Sequence, residues 1–427
     1  MAEQERGRKH LISWLAAAAV GAIVLWLSDW LQPPSAVAFE GHGVYFQQMT
    51  VDPLSLHGAF PHRILWPLLA HYTGLGGPRA PVFSQVCNGA FLAVVFWFCR
   101  QRGAKLADAL LVTGACAATG AVLVYKPMAC YSDTLMFLVL LLAVHFVARP
   151  GAFWCLVLLA SLAHEMVFFF APWLVYVRCR AGGVLRREAL ALGGVFAVYA
   201  AWRFVVRAGA TGVAYDSLYY WRNNFWVPWG MPALWALWAF MLLVEFGPLL
   251  AVVVWAWRRG ELGMGRWGPW LYLAGILPMM LLAYDVMRFA ALAFLPLVLG
   301  SLAFLRTVRR RSVFAVLLVL SIASYAWLHP IPEQQGGAEF TRISGQVLSL
   351  LPGRVEEVDG LARISLSHAA SFTYELLLRT WQTVLASCVA TALIVAAGLW
   401  LARSVPPVPP VQAPAGQAPR TSRNASP

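Results

Sequence analysis

Charge is scarce in this sequence: Asp, Glu, Lys and Arg make up 12% of its 427 residues, about half the share of an ordinary soluble domain. With 60% apolar residues and a mean hydropathy of +0.67, that scarcity excludes a water-soluble surface of normal composition. Chemical signatures are missing too. There is no glycine-rich phosphate loop, no GxSxG and no HExxH, and the nine histidines show no ligand spacing, which excludes the common soluble nucleotide-binding, serine-hydrolase and zinc-protease designs. The seven cysteines (87, 99, 116, 130, 155, 179 and 388) are odd in number, lack metal spacing and lie mostly within apolar runs. They form no disulfide framework and read as small packing residues. No repeat of fixed period is present.

What the sequence has is long apolar runs. Leu11–Leu31, Phe83–Phe98, Leu106–Val124, Thr134–Val147, Ala189–Val206, Ala233–Trp257, Trp267–Ala283, Phe289–Leu305, Val313–Leu328 and Val384–Ala402 are each long enough, or nearly so, to cross a hydrocarbon core of ~30 Å as a helix. Helices satisfy their own backbone hydrogen bonds in lipid. The alternative, a closed barrel, requires an in–out alternation that these runs lack. The expected fold is an all-α polytopic transmembrane helix bundle.

The formal charge of +13 does not point to nucleic acid, because the basic residues are grouped between the runs. Seven short clusters hold 21 of the 32, from Arg6/Arg8/Lys9 through Arg178/Arg180/Arg186/Arg187 and Arg306/Arg309/Arg310/Arg311 to Arg403/Arg420/Arg423. If these clusters are cytoplasmic, the chain obeys the positive-inside rule, with anionic lipid head groups as natural contacts. One segment decides the count. Gly151–Val177 is flanked by Arg149 and Arg178, so it enters and leaves on the same side. It is read as a hairpin of two short helices, Ala152–Ala163 and Met166–Val177, with His164-Glu165 at its tip. That gives twelve spans with both termini cytoplasmic, the first being an uncleaved anchor. Residues 1–403 form the membrane domain, with outer loops at 32–80, 209–231 and 329–379. Phe60–Thr73 in the first loop reads as a short interfacial helix with Ile64, Leu65, Leu68, Leu69 and Tyr72 on its apolar face. Residues 404–427 are a proline-rich unstructured tail.

Ionisable residues at membrane depth are costly, and each is a candidate for function. The first outer loop offers Glu40 and Asp52 as bases and Arg63 as a phosphate clamp, or Arg63 as a head-group anchor beside solvated acids. Asp133 opens a span, either as part of a Ser132-Asp133 helix cap or as a site residue. His164 and Glu165 interrupt an apolar stretch. Asp285 and Arg288 stand three residues apart on one helical face and can pair. Glu245 lies deep in a span and reads as an interior structural carboxyl.

In their order along the chain these residues resemble a family. Phe39-Glu40, Tyr45, Asp52-Pro53 and the run His62-Arg63-Ile64-Leu65…Pro67-Leu68-Leu69-Ala70, followed by Ser132-Asp133, by Leu162-Ala163-His164-Glu165 and by Asp285…Arg288 with Pro296 beyond, resemble bacterial polytopic proteins related to the GT-C glycosyltransferases. The likeness covers roughly residues 10–306. It departs from the usual pattern at Glu40, where Asp is commoner, and at His164, where Lys or Arg is expected. The resemblance implies a GT-C-like enzyme of the bacterial cytoplasmic (inner) membrane. It would take a sugar from a polyprenyl-phosphate donor on the outer face and pass it to an acceptor. Glu40 or Asp52 would then be the base, and Arg63 and Arg288 would hold the donor phosphate. Tyr45, Asp133, His164, Glu165 and Asp285 would complete the substrate site, with no metal assigned. Two other readings stay open: a transporter or flippase of a lipid-linked solute, and a surface-polysaccharide polymerase.

Overall fold

The computed structural model describes residues 2–38, 42–54, 60–209, 242–283, 286–308, 310–328 and 381–404. Among them the backbone is helical, with no strand. Glu40, Asp285, most of the second outer loop, the third outer loop and the proline-rich tail lie outside the described residues.

The helices run α1 (Ala2–Ser28), α2 (His42–Met49), α3 (Leu65–Tyr72), α4 (Ala80–Gln101), α5 (Leu106–Ala117), α6 (Gly120–Leu123), α7 (Asp133–His145), α8 (Pro150–Ala163), α9 (Ala171–Arg180), α10 (Leu185–Gly209), α11 (Leu250–Arg259), α12 (Gly268–Ala283), α13 (Val286–Ala291), α14 (Phe294–Thr307), α15 (Arg311–Leu328) and α16 (Trp381–Ser404). Proline in the first turn starts α4, α8 and α9, where its missing N–H costs no helical bond. Left-handed Gly260 closes α11.

Among the described residues, four segments are long and apolar enough to cross a membrane: Leu11–Ser28, Gly77–Gln101, Leu185–Arg207 and Arg288–Thr307. Several other apolar runs are helices of 10–17 residues. The run expected as one span over 106–124 breaks between α5 and α6, where Thr119 is extended. The next residue, Gly120, packs directly against the Glu245 carboxylate with no room for a Cβ. Glu245 itself is 1% exposed, inside the bundle and near Tyr325.

The interior is aromatic. Phe137 of α7 stacks on Phe294 of α14 at 4.6 Å, and Phe91 of α4 meets Phe294 edge-on at 5.4 Å. Helices within lipid gain little from hiding apolar surface from water, so such contacts act through close packing. α1 and α10 are different: only 17% of each apolar window is buried, so most of their side chains face outward.

The segment 150–180 folds back on itself. Arg178, at the end of α9, hydrogen-bonds the Val147 carbonyl just before α8, and its guanidinium lies 5.8 Å from the Phe153 ring. It also pairs with Glu188 of α10 at 2.7 and 3.1 Å, and Glu188 accepts from Trp154 Nε1 at 2.7 Å. Both ends of the hairpin therefore meet at one end of the bundle, leaving the break at extended His164 at the other. The first end also carries Arg311 on Asp108 and Arg259 on Glu261.

The short helix of the first loop is α3, and the face it packs differs from the sequence expectation. Trp66, Pro67 and Ala70 are buried, whereas Leu69 and Tyr72 are exposed. The largest side chain, Trp66, docks on the protein with Ala70, and Ile64 is buried beside them, while Leu69 and Tyr72 turn to the surroundings.

Candidate functional site

At the hairpin-tip end, side chains from four segments meet. Arg63, just before α3, is 6% exposed and presents its fork to Glu165. Nε donates to Oε2 at 2.8 Å and Nη2 to Oε1 at 2.6 Å, a bidentate pair of the strong, directional kind. The guanidinium lies over Phe60 at 4.5 Å and near Phe46 of α2 at 5.9 Å, so an aromatic shelf fixes its plane. Arg288 of α13 donates through Nη2 to Asp133, at 2.9 Å to Oδ1 and 2.8 Å to Oδ2, and sits 4.4 Å over the Tyr131 ring.

His164 stands between the two pairs. Its Nδ1 accepts from the Met166 N–H at 3.3 Å and is 3.5 Å from Glu165 Oε2. Its Nε2 is 3.3 Å from Arg288 Nη2 and 3.9 Å from Asp133 Oδ1. Each ring nitrogen thus has one donor and one carboxylate close by. His62 adds a second imidazole, with Nε2 3.4 Å from the same Glu165 Oε2. The Trp202 indole of α10 donates to the His62 carbonyl at 3.1 Å, which ties α10 to this loop. Burial pushes the His62 imidazole below its ordinary 6.5; Glu165 opposes this, while Arg63 and Arg203 add to it.

Of the residues singled out from sequence, Arg63, Asp133, His164, Glu165 and Arg288 are brought together. Tyr45 is exposed on α2, and Asp52 is exposed in the turn after it; both stand outside the buried cluster. Glu40 and Asp285 lie outside the described residues. Ser132 occupies the N-cap position of α7 but makes no side-chain cap bond, and the Asp133 carboxylate is held by Arg288 rather than by backbone amides. Among the described residues no group of three His, Cys, Asp or Glu is arranged to hold a metal.

Two ionisable residues have places in the structure that the sequence offers no reason to assign. His62 belongs to the run that carries the family resemblance, without a role of its own, and its adjacency to Arg63 is the signal that could have marked it. Lys126 is one of only three lysines in the chain. It is fully buried, donates to the Leu25 carbonyl at 3.2 Å and pairs with Asp29, locking the end of α1 to the loop before α7.

The cluster can hold an anion by exchange, since Arg63 already binds a carboxylate in fork geometry and Arg288 binds one through Nη2, and it can hold or move a proton between two imidazoles and two carboxylates. Comparison of the chain with protein-family models, curated proteins and solved structures gives no match.

Proposed function

We propose that this chain is a GT-C-like membrane glycosyltransferase of a bacterial cytoplasmic membrane, with twelve spans, both termini cytoplasmic and the His164-Glu165 end facing outward. It transfers a sugar from a polyprenyl-phosphate donor to an acceptor on that face. The observation that carries this reading is the meeting of Arg63, Glu165, His164, Asp133 and Arg288, whose two ion pairs join residues 102 and 155 apart in the chain, at the end of the bundle opposite the Arg178, Arg259 and Arg311 pairs. Buried charge of this density has no packing purpose in an apolar bundle. Fixed arginines with carboxylates and imidazoles beside them suit a phosphate leaving group.

In this mechanism the donor phosphate engages the Arg63 fork and the Arg288 guanidinium, and Glu40 or Asp52 takes the proton from the acceptor hydroxyl. A positioned base contributes typically 10²–10⁴-fold. The test is transfer of labelled sugar from polyprenyl-phosphate donors in proteoliposomes. Arg63→Lys, which keeps the charge and loses the fork, should lower transfer at least ~10-fold, and one of Glu40→Gln and Asp52→Asn should abolish it. Transfer at the parental rate by all three variants would remove the enzymatic reading and leave lipid-linked transport in its place.

A further inference from the structure

The surroundings of one oxygen atom carry an inference about how an anion enters this site. Glu165 Oε2 faces three nitrogens: Arg63 Nε at 2.8 Å, His62 Nε2 at 3.4 Å and His164 Nδ1 at 3.5 Å. Only the first contact is a close ion pair. The two imidazoles come from the loop before α3 and from the hairpin tip, and both side chains are nearly enclosed, at 6% and 3% exposure.

A phosphate that binds the Arg63 fork must take or share the edge that Glu165 occupies. Two negative groups would then compete for one cation whose side chain is 7% exposed, beside a carboxylate that is 23% exposed. A nearby anion favours the protonated form of a carboxyl, by repulsion, and of any imidazole beside it, by attraction. An uncompensated buried charge is strongly unfavourable. The groups facing the imidazoles are Glu165, Arg63 and Arg203 around His62, and Glu165, Arg63, Asp133 and Arg288 around His164. Glu165 is the acid common to both sets, so a proton placed between it and either ring restores the charge balance that the anion disturbs.

We propose that binding of a phosphate anion at Arg63 is coupled to uptake of a proton by the Glu165–His62–His164 group. The proton comes from solvent and is held at Glu165 Oε2, shared with the two ring nitrogens. No covalent bond other than that to the proton forms or breaks, and the net charge of the site is the same before and after a singly charged anion binds. The inference rests on the lipid-phosphate reading above for the identity of the anion.

The experiment is calorimetry of the full-length protein in detergent, titrated with an isoprenyl monophosphate. An isoprenyl sulfate is run in parallel, because its charge does not titrate near neutral pH whereas a phosphate monoester has a second pKa of about 6. Measured at pH 7 in buffers of different ionisation enthalpy, the binding heat should report uptake of roughly half a proton or more with both ligands. Affinity for the sulfate should rise by up to ~10-fold for each unit fall in pH. In Glu165→Gln the uptake should disappear, and in the double variant His62→Gln/His164→Gln it should fall. Binding of both ligands without proton uptake by the parental protein would overturn the coupling and leave the lipid-phosphate reading standing. Failure of the isoprenyl monophosphate to bind the parental protein would overturn that reading, and the coupling with it.

Discussion

At the scale of single residues, the chain joins charges that its sequence keeps far apart. Glu165 and Arg63 could each be picked out because an ionisable group in an apolar setting needs a reason to be there. Their partnership, across 102 residues, has no local signature, and neither does the pairing of Arg288 with Asp133, across 155. Spacing along one helix also offers Asp285 to Arg288; Asp285 lies outside the described residues. His62 gives a pH dependence whose sign follows from its burial. Its folded-state pKa lies below the 6.5 of an exposed imidazole, so the unfolded chain takes up the proton first as pH falls. This contribution to stability is complete above pH 6.5 and declines below it. The expected result is a lower unfolding temperature in detergent at pH 5.5 than at pH 7.5 without ligand, with a smaller acid loss in His62→Gln. An equal loss in both proteins would place the acid sensitivity elsewhere.

At the scale of elements, the apolar runs were legible because each is a composition block, and the break at His164 was legible because charge interrupts one. The break at Thr119 was not: Gly120 must pass the Glu245 carboxylate, and nothing in the 106–124 run announces a partner from 125 residues onward. The docking of α1 rests on a similar close approach. A Cβ at Gly21 would lie 2.5 Å from the Gly89 carbonyl oxygen and 2.8 Å from the Ala93 nitrogen of α4. Backbone cannot yield as a flexible side chain can, so Gly21→Val should destabilise the solubilised protein by roughly 1–3 kcal/mol, the usual range for overpacking. Gly193, in the exposed part of α10, has no neighbour within 4 Å. There Gly→Ala should be neutral or raise stability by about 0.5–1 kcal/mol through helix propensity. Thermal unfolding of the two variants side by side checks the contrast, and equal behaviour would show that α1 docks loosely.

At the scale of the whole molecule, the described residues have two unlike ends. Arg178, Arg259 and Arg311 mark one, while the compensated cluster around His164 marks the other, as the alternating basic clusters in the sequence suggest. Reporter fusions after Arg102, Arg186 and Arg310 should therefore read cytoplasm, and fusions within 32–80 and 329–379 the opposite side. A cytoplasmic signal from 340–370 would invalidate the twelve-span arrangement. The clasp of Arg178, Glu188 and Trp154 carries a consequence for biogenesis. Glu188 follows the hairpin in the chain, so during synthesis α8 and α9 emerge before the carboxylate that fastens their base. Until the first turn of α10 is made, Arg178 fastens the base of the hairpin only through the Val147 carbonyl and the Phe153 ring and lacks its counter-ion. The clasp is thus completed late, by a residue that arrives after the His164-Glu165 tip, and a ribosome stalled short of residue 188 would hold a chain whose hairpin base still carries an unneutralised arginine.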